Sequence, residues 1–190
     1  MKRLFGYIAL LWMVSCAEHK QETIILYRSV SAKDISVKQD VVYLDGALFS
    51  GMLYELEPET GDTVLLAAYH NGLLHGRVKK WYANGQLMEE RSYSDGQKNG
   101  MQTGLWENGI PKFKFMAKAD AYEGELKEWT VDGKLIHLAN FKDGLEEGVQ
   151  KLWYDNGKIR ANYVIKNGRR YGLLGTKNCK NVSDSIFIVQ

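Results

Sequence analysis

Three tryptophans, Trp81, Trp129 and Trp153, each stand two residues after a lysine, at Lys79, Lys127 and Lys151. On a β-strand that spacing sets both side chains on one face. A ladder of indole rings beside ammonium groups suits a glycan, a peptide or a lipid headgroup, so these six residues are candidate ligand-facing positions. The same pattern also serves a core, with tryptophans covering a hairpin and lysine stems lying beside them. Both readings stand on the sequence alone.

Other chemistry-bearing residues are scattered. His19, His70, His75 and His137 lie far apart, except that His70 and His75 flank Asn71-Gly72. No third ligand accompanies that pair, as a zinc site would need, so no metal is expected. Cys179 lies between Lys177 and Lys180, cations that favour a thiolate, and is a candidate free thiol. Carboxylates cluster at Glu89-Glu90, Glu123, Glu125, Glu128 and Glu146-Glu147 without a histidine or serine recurring beside them. No nucleophile elbow, phosphate loop or zinc spacing is present. The expectation is a non-enzymatic protein with no cofactor.

The elements that would position these residues follow one period. Gly76, Gly100, Gly124, Gly148 and Gly172 recur every 24 residues, and Gly85, Gly109, Gly133 and Gly157 follow nine residues behind. Each unit reads as two strands and two turns. In one, Gly148 to Tyr154 is a strand, Asp155-Asn156-Gly157 a turn, and Lys158 to Ile165 the return. Asn-Gly or Asp-Gly pairs at 84–85, 108–109, 132–133 and 156–157 suit two-residue hairpins with positive φ at both central residues. A second set, at 71–72, 95–96, 143–144 and 167–168, closes the opposite end.

Alternation marks the packed face. Return-strand positions 87, 111, 135 and 159 hold Leu, Pro, Leu and Ile, and positions 93, 117, 141 and 165 hold Tyr, Ala, Phe and Ile. Between them stand Phe113, Phe115, Ala139, Ala161 and Tyr163, whereas the opposite parity holds Glu90, Lys112, Lys114, Asn140, Arg160 and Asn162. One face is apolar and aromatic, the other mostly polar. Stacked units make that face continuous, so each unit depends on its neighbours. The expected fold is all-β, an elongated antiparallel meander of 24-residue β-hairpin repeats in a single sheet.

This pattern, GxxxxWYxNGxLxxxxxYxNGxxxG, resembles the bacterial MORN repeat variant across roughly residues 46–175. Leu48-Phe49-Ser50-Gly51 looks like an opening unit, lengthened by the turn from Glu57 to Asp62. The unit 100–123 departs most. Trp106 comes one residue late, the turn Lys118-Ala119-Asp120 lacks glycine, and Pro111 predicts a local bulge. Many such bacterial proteins carry a YwqK-type antitoxin label, which implies an antitoxin-like neutraliser of a co-expressed partner. Repeat folds host many roles.

The start of the chain reads as an address. Lys2-Arg3 precedes an apolar run from Leu4 to Val14, too short to span a bilayer but fit for a secretory signal. The run ends in Met13-Val14-Ser15-Cys16, which resembles a bacterial lipobox. The resemblance implies a signal at 1–15, lipid attachment at Cys16, and a lipid-anchored place in the cell envelope. Ala17-Glu18 after the cysteine favours the outer membrane. A tether at 16–23, N-terminal capping strands at 24–45, repeats at 46–175 and a C-terminal capping segment at 176–190 complete the expected layout. That last segment ends in the apolar stretch Ile186 to Val189.

Lys2 and Arg3 also account for the net charge of +2; the rest of the chain has 23 basic and 23 acidic residues. A nucleic-acid partner has no basic stripe to grip. The expected function is therefore a membrane-anchored protein-interaction module with an unspecified protein partner in the envelope. The alternatives are a glycan or headgroup binder using the Trp/Lys face and the antitoxin-like role. Cys16→Ser should abolish fatty-acid labelling of the protein and shift it from the membrane to the soluble fraction; unchanged labelling would refute the lipid anchor.

Overall fold

The computed structural model describes residues 25–175. The leader, Cys16, the tether, His19, Cys179 and the segment 176–190 lie outside the described residues. No helix occurs among those described. The chain makes β1 (Tyr27–Ser29), β2 (Ile35–Lys38), β3 (Val41–Leu44), β4 (Ala47–Leu48), β5 (Gly51–Leu56), β6 (Thr63–His70), β7 (Leu73–Trp81) and β8 (Leu87–Ser94). It continues with β9 (Gln97–Leu105), β10 (Pro111–Lys118), β11 (Ala121–Trp129), β12 (Leu135–Lys142), β13 (Leu145–Glu146), β14 (Gly148–Trp153), β15 (Ile159–Lys166) and β16 (Arg169–Leu173).

From β5 to β16 consecutive strands pair antiparallel in chain order, so the expected meander of hairpins is the fold. β13 and β14 share the place of one strand, both pairing with β12. The start of the chain departs from a pure meander. β1 pairs parallel with β5, and β2, β3 and β4 form a separate small sheet. A parallel pair needs a crossover connection, and here the small sheet is that connection. Val42, Phe49 and Leu53 are buried between the two sheets, with Leu26 and Tyr69 packed against them. Gly72 ties the first repeat turn to this cap. Its N–H donates to the Phe49 carbonyl at 2.7 Å, and its carbonyl accepts from Val42 N–H at 2.8 Å. A Cβ at Gly72 would lie 2.8 Å from the Val42 carbonyl oxygen, so only glycine fits.

The pairing registers line up transverse rows across the sheet. One row runs Leu53, Ala67, Val78, Arg91, Gln102, Phe115, Leu126, Ala139. Gln150 and Tyr163 pair beyond it. Most of these residues are buried, and so are Ala117, Ala161 and Ile165 on the same parity. The apolar face read from the return strands is thus the packed one. Ile159, by contrast, is 51% exposed, because it sits at the hairpin end beside the open last strands.

The two sets of turns differ in type, where the sequence suggested one. At 71–72, 95–96, 143–144 and 167–168 both central residues have positive φ, as the two-residue type I′ turn requires. At 84–85, 108–109, 132–133 and 156–157 only the glycine does. There a type I turn is followed by a left-handed glycine: Gly85 N–H donates to the Tyr82 carbonyl and Tyr82 N–H to the Gln86 carbonyl. The asparagine acts through its side chain instead, Asn84 Oδ1 accepting from Gln86 N–H at 2.9 Å. A register shift sits beside this turn in every complete unit, at Lys80/Trp81, Pro111/Phe113, Glu128/Trp129 and Leu152/Trp153. The bulge expected at Pro111 is therefore present, but it belongs to the repeat and not to the proline.

The glycine-free turn keeps the I′ shape, with Ala119 at φ 48° and Asp120 at φ 65°. A left-handed alanine costs roughly 1 kcal/mol. Ala119→Asn, the residue type found at 71 and 167, should raise stability by about 0.5–1 kcal/mol. A higher urea midpoint with an unchanged slope would show it; a lower midpoint would refute it.

Candidate functional site

The tryptophans and lysines of the sequence reading fall as follows. Lys79, Lys127 and Lys151 share one transverse row, Leu66, Lys79, Glu90, Thr103, Lys114, Lys127, Leu138, Lys151, Asn162. This row alternates with the buried row, so it lies on the opposite side of the sheet. Lys79 bonds Glu90 at 3.5 Å, and Lys127 bonds Glu125 at 2.6 Å. Lys114 and Lys127 are direct cross-strand partners, and Glu125 offsets that like-charge contact. A shallow pocket of about 440 Å³ opens here, flanked by Met101 and Met116.

Trp81, Trp129 and Trp153 stand at the ends of β7, β11 and β14 and are half-buried. The out-of-phase Trp106 shows what this end of the sheet uses aromatics for. Its Nε1–H donates to the Trp129 carbonyl at 3.0 Å, and Lys112 lies 4.5 Å over its ring. Tyr82 OH likewise donates to the Leu105 carbonyl at 3.0 Å, and Asn108 Nδ2 to the Val131 carbonyl at 2.8 Å. These bonds lace the turns at 82–86 and 106–110 to the unit that follows each.

The packed side carries the richer chemistry. Phe113, Phe115, Tyr122 and Phe141 form a continuous column across β10, β11 and β12. Their ring centroids are 5.8, 4.8 and 4.8 Å apart in sequence along it. Tyr122 remains 39% exposed. Gly104 makes the first ring possible, since a Cβ there would fall 2.3 Å from a Phe113 ring carbon. Arg91 then lies 5.0 Å over the Phe113 ring, a cation–π contact.

Beside this column a trough of about 590 Å³ is lined by Tyr69, Tyr93, Lys80, Glu89, Arg91 and Lys98. Glu89 anchors it, bonded to Lys80 at 3.1 Å and to Arg91 at 2.8 Å. Burial pushes the Glu89 carboxyl up, but hydrogen bonds and charge from Lys80 and Arg91 outweigh it and hold the group below the usual carboxylate range. Burial raises the phenols of Tyr69 and Tyr93, which stay neutral donors above the ordinary tyrosine range.

Two residues that mattered were missed by reading motifs. Gln102 and Gln150 occupy the buried row where Val78 and Leu126 stand, and are 0% and 1% exposed. Gln102 Nε2 donates to the Ser92 and Gly100 carbonyls at 2.9 and 3.2 Å, and Gln150 Nε2 to the Asn140 carbonyl at 2.8 Å. Each amide satisfies backbone acceptors beside the glycine where the ladder is interrupted. A polar residue recurring in an apolar phase was the available signal.

The histidines do not assemble. His70 and His75 are exposed, with rings 5.6 Å apart, and His75 Nδ1 faces Asp95 at 3.2 Å. His137 Nδ1 lies 2.8 Å from Glu128. Among the described residues no group of three or more His, Cys, Asp or Glu side chains could hold a metal ion.

Fold and surface together define a β-hairpin repeat protein with a ring column on the packed side of its sheet. Residues 74–95 and 146–167 match the family model described as MORN repeat variant. These segments start three 24-residue periods apart. The units between them repeat the same hairpins but contain Trp106, Pro111 and the glycine-free turn. A comparison with curated proteins finds no match.

Glu89→Gln should lower stability at pH 7 by about 1–2 kcal/mol, since it removes two charge-assisted bonds. The depressed carboxyl stabilises the fold above its unfolded value, near 4.3, and that contribution is lost as pH falls through the folded value. The wild-type advantage over the variant should thus shrink as pH falls below that unfolded value; an advantage that does not change with pH would refute this assignment.

Proposed function

We propose that this chain is a non-enzymatic interaction module of the bacterial cell envelope, tethered through Cys16, that docks a protein partner on the aromatic side of its sheet. The observation that carries the reading is the column Phe113, Phe115, Tyr122 and Phe141 on a face that, among the described residues, no second layer covers. Large rings with little rotamer freedom are the side chains that concentrate binding energy at protein interfaces. The trough beside them adds lysine, arginine and phenol donors around a single carboxylate, a polar rim for that apolar centre.

The repeat-family match supports an interaction module over a catalyst. The basic, apolar and Met-Val-Ser-Cys sequence at the start supports the tether. The balanced charge of the remaining chain favours a protein partner over a polyanion.

A photo-crosslinking residue placed at position 122 in the native cell should capture a discrete protein adduct, and one placed at Lys151 on the opposite side should not. Tyr122→Ala should weaken the interaction about tenfold or more while leaving the fold intact. Equal capture from both faces, or no adduct from position 122, would overturn the proposal.

A further inference from the structure

The packed side changes character between two neighbouring units. Glu89, Arg91 and Lys98 stand 24 residues ahead of Phe113, Phe115 and Tyr122, so the same three places hold charges in one unit and the ring column in the next. The two sets touch, since the Arg91 guanidinium lies 5.0 Å over the Phe113 ring. A partner that covers one set therefore meets the other.

The charged set is not balanced. Glu89 engages Lys80 at 3.1 Å and Arg91 at 2.8 Å. Lys98 lines the same trough but makes no ion pair with a described residue. Asp120, at the next turn, accepts the Lys98 backbone N–H at 2.9 Å. Even with Asp120 counted, the cations Lys80, Arg91 and Lys98 face only the carboxylates of Glu89 and Asp120, and one positive charge is left over. Further along the sheet, Glu146 and Arg170 occupy the phase of Lys98 and bond each other at 3.1 Å. The row compensates its charges there and leaves Lys98 uncompensated here.

The phenols of Tyr69 and Tyr93 line the trough as well and donate to no described residue. An ammonium and two phenols thus surround one concavity without an acceptor of their own. A carboxylate placed there receives charge-assisted hydrogen bonds, the strong kind. Lys98 on β9 and Tyr122 on β11 are two strands apart, roughly 10 Å across the sheet. An extended chain crossing the strands advances about 3.3 Å per residue and covers that span in about three residues.

Given docking on the aromatic side, on which this inference rests, we infer that the partner presents an extended segment with an acidic side chain about three residues from a large apolar one. The aspartate or glutamate enters the trough, held by Lys98, Tyr69 and Tyr93, and the apolar side chain lies on the ring column.

Random linear peptides displayed on phage and panned against the full chain test this. Peptides whose binding is lost in Tyr122→Ala should carry an acid about three residues from a Phe, Trp or Leu. Lys98→Gln should weaken their binding about tenfold, and Lys98→Arg, which keeps the charge, should hold it. Lys98→Glu should turn the preference from acidic to basic peptides. Thermal midpoints should stay unchanged in all three variants, since Lys98 makes no described ion pair. Selected peptides that need Tyr122 but carry no acid, or that bind Lys98→Gln as tightly as wild type, would overturn the inference and leave aromatic-side docking standing. A Lys98→Glu protein that still selects acids would do the same. Peptides indifferent to Tyr122, or no selection at all, would overturn both. Self-association of the full chain that Lys98→Glu abolishes would assign the trough to a second copy and overturn the inference too.

Discussion

Beyond the N-terminal cap, the described sheet is one layer thick and has no opposite wall. Each side chain can be buried only by its neighbours within the same face, along its strand or across to the next one. Everything else in this molecule depends on that constraint. The transverse rows must stay in register from strand to strand, because a one-residue slip would send Leu126 or Ala139 to the other side. The period of 24 keeps them there. Small residues such as Ala67, Ala117, Ala139 and Ala161 recur among the buried positions of this face, beside Gln102 and Gln150.

Turn chemistry holds the register. Two turn types alternate along the chain, one demanding two left-handed residues and the other a single left-handed glycine. Between them a positive-φ glycine, such as Gly100 at φ 104°, interrupts each outgoing strand. Such interruptions leave backbone carbonyls without ladder partners, and Gln102 and Gln150 satisfy them from within the buried row. At the other end of the units, Tyr82, Trp106 and Asn108 bond forward to the following repeat. The aromatic column across β10–β12 is a product of this order. It needs Phe115 and Tyr122 on one face and Gly104 beneath Phe113.

Periodicity made the meander, the packed face and the position of every repeat turn legible in the sequence, because those features depend on residue type at fixed spacing. Three features were not legible, for separate reasons. The parallel pairing of β1 with β5 depends on a crossover whose strands fall outside the period. The difference between the two turn sets depends on φ at asparagine and aspartate, residues that adopt either sign. The aromatic column was visible as separate apolar positions, but its continuity depends on cross-strand neighbours that only the register discloses. The Trp/Lys pattern was seen at once for the opposite reason: its members lie close together along single strands.

The rows have an evolutionary corollary. Since each face continues unbroken from one unit to the next, inserting or deleting 24 residues between equivalent bonds leaves every remaining side chain on its original side. Unequal recombination within the gene can therefore lengthen or shorten the array in whole steps, with only the junction meeting new neighbours. The N-terminal cap is exempt from such exchange, because Gly72 is fitted against Val42 and Phe49. Growth and loss are confined to units beyond the first repeat turn, so a lineage of such proteins would vary in reach while keeping one fixed end.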